Sequence, residues 1–177
     1  IVTYTFRIYN EGDIDGYASE ITEDIPEGLE FISTLDTNKL TEEEQEVVDF
    51  NNRYGWVIDR ENNKLVRTAY LSKEKETIIG ENLIKSFGEN DGTKTEADIS
   101  YKEVSVMLKV TADDLSGDVI RNEACISEDA DANGDPTDDR DSDTEDWVKY
   151  EDDEDYDNII LQSFDLALRK FIVAVSK

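Results

Sequence analysis

The 177-residue chain has no histidine, one cysteine, one methionine and two prolines. Without histidine it lacks the commonest general base and metal ligand at neutral pH, and with one thiol as well it is poorly equipped for zinc. One cysteine allows no internal disulfide. Cys125 falls on the Arg121, Glu123 and Ser127 face of a strand-like run, and reads as a small, partly buried side chain rather than a reactive thiol. No stretch approaches the roughly 20 apolar residues of a helical membrane span. Positive charge is scarce: 18 Lys and Arg stand against 45 Asp and Glu, a net charge of −27. That balance disfavours nucleic acid and anionic membranes as partners and favours cations. There is no phosphate-cradling glycine loop, dinucleotide fingerprint or nucleophile–base motif. Carboxylate pairs are so abundant that chance supplies them, so even a glycosidase has no specific support. A turnover enzyme is not expected.

What the chain does have is short alternating segments. Val2, Tyr4, Phe6 and Ile8 share one face of a run over residues 1–10, which predicts a half-buried strand. Residues 17–25 read as a second strand, closed by the turn Pro26-Glu27-Gly28. Thr41, with Glu44 three residues on, forms a capping-box signature for a helix over 41–51, and Glu42 and Glu43 suit its positive end. Residues 56–58 and 64–71 predict paired strands about a polar turn. Val104, Val106, Leu108 and Val110 mark the core face of a strand over 101–110. Repeated strands with turns between them, and one helical excursion, predict an all-β, antiparallel β-sandwich of the immunoglobulin-like kind with a short helical insertion.

Two of the apolar rows carry a polar residue. Ile120, Asn122, Ala124 and Ile126 share one strand face, and Leu166, Leu168, Lys170, Ile172 and Ala174 share another. Helical spacing also fits the second segment, through Phe164, Leu168, Phe171 and Val175. A buried amine and a buried amide are each costly alone. Held together in a dry core beside a carboxyl group, they can condense into a Lys–Asn isopeptide bond. Burial favours the neutral, nucleophilic amine, a protonated carboxyl group polarises the amide, and packing holds the atoms in line.

Residues 128–157 form an acidic tract in which 16 of 30 are Asp or Glu. Asp129, Asp131, Asn133 and Gly134 open like a calcium loop, with oxygen ligands at alternate positions and a glycine at the bend. The twelfth position is Arg140, where a bidentate Glu is expected. Asp138, Asp139 or Asp141 could replace it with a different geometry, and with Asp135 and Asp139 the candidate metal set is complete. Calcium is therefore a possible ligand and no cofactor is required.

The run Val2-Thr3-Tyr4-Thr5-Phe6-Arg7-Ile8-Tyr9-Asn10-Glu11-Gly12, followed by Asp24-Ile25-Pro26-Glu27-Gly28-Leu29-Glu30-Phe31, resembles the repeat domains of Gram-positive cell-surface proteins. These are the isopeptide-forming, collagen-adhesin (Cna-type) and pilin-like modules. Asn122-Glu123-Ala124 and the Asp129–Ser142 stretch are similar to the end of such a repeat, and Phe164–Ile172 resembles the opening strand of the next. The resemblance implies an extracellular, wall-attached stalk, adhesin or fibre. It implies Lys170 and Asn122 as crosslink partners and Asp24 as the assisting acid, with Glu20 and Glu103 as substitutes. Simple alternation from Ile21 and Ile25 puts Asp24 on the less apolar face, which weighs against it.

In this family the lysine strand comes first; here it comes last. The expected organisation is a sandwich over 1–127 lacking its opening strand, an acidic linker over 128–158, and a C-terminal strand over 159–177 that completes this domain or the next. The expected partners are neighbouring copies or repeats joined head-to-tail by strand donation, without direct membrane insertion. An alternative is an adhesin domain that contacts a host or carbohydrate ligand, for which Tyr54, Trp56, Tyr70 and Trp147 are the aromatics of interest.

Overall fold

The computed structural model describes residues 1–33, 40–88, 92–111, 119–137 and 154–160. In chain order the elements are β1 (Val2–Tyr9), β2 (Gly16–Asp24), β3 (Leu29–Glu30), α1 (Glu42–Arg53), β4 (Val57–Ile58), β5 (Leu65–Thr68), β6 (Tyr101–Val110), β7 (Val119–Asp131) and β8 (Glu154–Ile160). Two short 3₁₀ turns, Lys73–Lys75 and Glu96–Asp98, lie in the long β5–β6 connection. The fold is all-β, with two antiparallel sheets in a sandwich-like arrangement and one helix. One sheet has the order β1-β6-β3 and the other β4-β5-β2-β7-β8.

The alternation read from the sequence builds the core. Ile8 from β1, Val104, Val106 and Leu108 from β6, Ile21 from β2, Val66 from β5 and Ile120 from β7 all bury their side chains in one cluster. Burying each such side chain contributes about 1.5–3 kcal/mol. The Pro26–Gly28 turn closes with Leu29 N–H donating to the Pro26 carbonyl at 3.1 Å. Gly28 takes φ +96°, a conformation that side chains with a Cβ rarely adopt.

Helix α1 begins as its capping box requires. Thr41 Oγ1 accepts from Glu44 N–H, and the Glu44 carboxylate accepts from Thr41 N–H. Val47 and Val48 pack with Ile32 and Met107 in a second, smaller cluster. Beyond the short β3, side chains satisfy the main chain of β6. Asn51 Nδ2 donates to the Met107 carbonyl and Asn51 Oδ1 accepts from Met107 N–H, both at 2.8 Å. Trp56 Nε1 donates to the Ser105 carbonyl at 2.8 Å. Asn51 thus does the work of a strand residue from a helix. Asn51→Ala would leave both main-chain groups of the half-buried Met107 without their side-chain partner, and is expected to lower stability by about 2–4 kcal/mol in chemical denaturation.

The sheet extends past the boundary expected at residue 127. β7 continues to Asp131, and the end of the acidic tract is itself a strand: β8 pairs antiparallel with β7 from Cys125↔Glu154 to Val119↔Ile160. The expected turn at 113–118 and the C-terminal segment from residue 161, with Lys170, lie outside the described residues.

Candidate functional site

β2 is a central strand, paired with β5 on one side and β7 on the other. A bulge near Ser19 shifts its register between Ala18 and Ile21. From there Ile21, Glu23 and Ile25 fall on one face, toward the core. Glu23 lies between Val66 of β5 and Ala124 of β7 and is 0% exposed. Two apolar neighbours and no water explain why desolvation raises its carboxyl to about 8, with the nearby Asp24 charge adding in the same direction. Near neutral pH Glu23 is therefore largely a neutral acid.

Asn122 sits two positions along β7 from Ala124, on the same core-facing row, and is 3% exposed. Its Nδ2 donates to Glu23 Oε1 at 2.7 Å and to the Asp24 carbonyl at 3.0 Å. A main-chain carbonyl can only accept, so this second contact fixes which end of the amide faces Glu23. The side-chain nitrogen, which would depart as ammonia if the amide were attacked, is the amide atom in contact with the carboxyl group, as its donor.

The assisting acid read from the sequence, Asp24, needs correction by one position. Asp24 contributes its backbone carbonyl to Asn122, and the carboxyl group that touches the amide belongs to Glu23. Burial and the Glu123 charge raise the Asp24 carboxyl from its ordinary value, and Lys64 opposes them. Of the substitutes, Glu20 pairs with Arg67 at 2.6 Å and Glu103 with Arg7 at 2.8 Å. Both are committed to ion pairs away from Asn122. The signal for Glu23 was the row it shares with Ile21 and Ile25, a third polar residue on an apolar face.

Between the edge of β1, which is unpaired among the described residues, and strands β7 and β8 lies a cleft of about 1010 Å³, bordered by Tyr4, Phe6, Asn122, Ala124, Tyr156 and Asp157 among others. Val2, Tyr4 and Phe6 are partly buried and pack against the core cluster. The buried Glu23 Oε2 and Tyr4 Oη, like Ser72 Oγ elsewhere in the chain, have no hydrogen-bond partner among the described residues.

The candidate calcium residues are arranged differently. Asp129 and Asp131 belong to β7, where Asp129 lies across from Ala18 and Asp131 from Gly16. Asp131 Oδ1 accepts from the backbone N–H groups of Asn133 and Asp135, at 2.7 and 3.1 Å. Those contacts hold its carboxyl below the ordinary value. The Asp131–Asp135 turn is thus braced by its own carboxylate. Among the described residues no three acidic side chains gather around one point where a metal ion could sit. Asp139 lies outside the described residues.

The aromatics of interest are mutually packed. Trp56 is buried beside Phe6, with ring centroids 5.9 Å apart, and Tyr54 stands edge-on to Tyr70 at 5.0 Å. Trp147 lies outside the described residues. Comparison of the chain with protein-family models, curated proteins and solved structures finds no match.

Proposed function

We propose that this chain is a structural repeat of an extracellular bacterial surface stalk or fibre, stabilised by a single-turnover isopeptide bond between Lys170 and Asn122. The observation that carries this reading is the buried Asn122–Glu23 pair. The amide nitrogen and a neutral carboxyl group are buried in contact inside an apolar sheet, a pairing that supports amide aminolysis. In the reaction, the Lys170 Nζ–Cγ bond forms and the Asn122 Cγ–Nδ2 bond breaks. Glu23 takes a proton from the incoming amine and returns one to Nδ2, which leaves as ammonia. No oxidant or cofactor is needed, and Glu23 ends as it began.

The edge of β1 supports the rest of the reading. An unpaired edge beside an open cleft suits strand addition. The segment around Lys170 carries the apolar alternation to fill it. Lys170 lies ten positions beyond Ile160, a span of up to about 35 Å when extended. Chain length therefore allows the segment to fold back. Insertion into a neighbouring copy, which we favour, gives a heterologous, head-to-tail contact and an open covalent fibre.

Intact mass and denaturing electrophoresis of the 177-residue chain test this. Loss of about 17 Da per bond, as the departure of one ammonia on covalent attack requires, is expected in the wild type and not in Glu23→Gln or Asn122→Ala. Multimers that survive boiling support the fibre, and a monomer with the deficit supports folding back. A monomer of unshifted mass overturns the proposal.

A further inference from the structure

We propose that the Tyr4 hydroxyl is a third polar group of this site, holding the attacking amine so that its lone pair faces Cγ of Asn122. This inference rests on the crosslink reading above. Tyr4 lies in β1, on the sheet facing Glu23, in the core-facing row with Val2, Phe6 and Ile8. Its ring borders the same cleft as Asn122. Its Oη is buried and without a partner among the described residues, as is Glu23 Oε2.

A buried oxygen without a partner calls for an explanation, and here one belongs to Tyr4, which borders the cleft with Asn122, and another to Glu23, which touches Asn122. Phenylalanine would fill nearly the same volume at position 4 without burying a lone hydroxyl. Two further relations connect the phenol with the amide. Tyr4, Asn122 and Asp157 line one cleft, and Asp157 is the β8 residue directly across from Asn122. Desolvation raises the pKa of the Tyr4 hydroxyl, and the charges of Glu23 and Asp157 raise it further.

Burial favours the neutral amine, and Glu23 already holds its own proton near neutral pH, so the amine enters between these oxygens with its lone pair free. The Tyr4 oxygen accepts one of its N–H bonds, and that contact sets the direction of the lone pair. Orientation of this kind lowers the barrier to attack without changing the bonds made and broken. Without it the amine keeps its reach but not its aim.

Tyr4→Phe tests the oxygen alone. With the chain made by cell-free synthesis and sampled over time by intact mass, Tyr4→Phe is expected to lose ammonia at least about tenfold more slowly than wild type. The titratable groups around the site are Glu23 and Asp24 from β2, Asp157 from β8 and Tyr4 itself. Removing the Tyr4 oxygen takes an acceptor from the ammonium, so the low-pH limb of the rate profile should move to lower pH. In an Asn122→Ala background, where no bond forms, adding Tyr4→Phe should leave the melting temperature unchanged or slightly higher. A wild-type rate in Tyr4→Phe overturns the proposal and spares the crosslink. So does a slower rate with an unmoved pH limb and a lowered melting temperature in the Asn122→Ala background, which marks Tyr4 as a packing residue. A wild-type chain that never loses ammonia overturns both readings.

Discussion

Lys170→Ala is expected to lower the melting temperature by about 10–15 °C, far more than removal of a surface lysine. A bond from Asn122 to Lys170 within one chain closes a loop of about 50 residues, which in the loop-entropy account contributes about 4 kcal/mol. For a domain of this size each kcal/mol moves the midpoint by about 2–4 °C. Asn122→Ala should fall at least as far, because it also deprives Glu23 Oε1 of its donor. The double variant should fall no further than Asn122→Ala, since both changes remove one bond and neighbouring effects of this kind do not add. Differential scanning calorimetry decides. A midpoint within about 2 °C of wild type for Lys170→Ala, as for a surface substitution, would sink the crosslink as a source of stability. If the bond joins two chains, the loss should instead depend on protein concentration.

The second large effect is on pH dependence. Glu23 in the folded domain holds its proton up to about 8, against an ordinary value of 4.5. Between those values the folded state binds a proton that the unfolded state has released, so stability falls as pH rises. In a Lys170→Ala background, where no bond can form, the contribution is fully present below about pH 4.5 and gone above about pH 8. A shift of this size corresponds to roughly 4–5 kcal/mol across the window. Glu23→Gln in that background keeps an acceptor for Asn122 and removes the titration, so its stability should be flat through the same range. Urea denaturation at pH 5, 6.5 and 8 measures it. Parallel curves for the two proteins would refute the buried neutral acid.

The strands that face the core were legible because burial leaves a period of two. β1, β2 and β6 fall where Val2 to Ile8, Ile21 to Ile25 and Val104 to Val110 put them. The helix was legible through Thr41 and Glu44, whose reciprocal hydrogen bonds are local. β8 was not. Its sequence, Glu-Asp-Tyr-Asp-Asn-Ile-Ile, is mostly exposed, and its place comes from main-chain pairing with β7, which leaves no apolar pattern. Asn51 was read merely as part of a helix, because its function depends on Met107, 56 positions away. At the candidate site, Asn122 stood out as an amide in an apolar row. The same test applied to β2 selects Glu23, while the turn motif of the resembling family selects Asp24. The row was the better guide, since it reflects which side chains the sheet buries. The orphaned hydroxyl of Tyr4 left no mark, because tyrosine is ordinary in a half-buried strand.

The register of β7 and β8 has a bearing on how tension would run through such a stalk. β8 is an edge strand among the described residues, and a pull on the chain beyond Ile160 would peel it from β7 one rung at a time, starting at Val119. With Lys170 tied to Asn122, a pull from farther along the chain would enter β7 directly and bypass everything between residues 122 and 170. The acidic tract and β8 would then hang as a slack side loop, carrying none of the load while the rest of the domain stays taut.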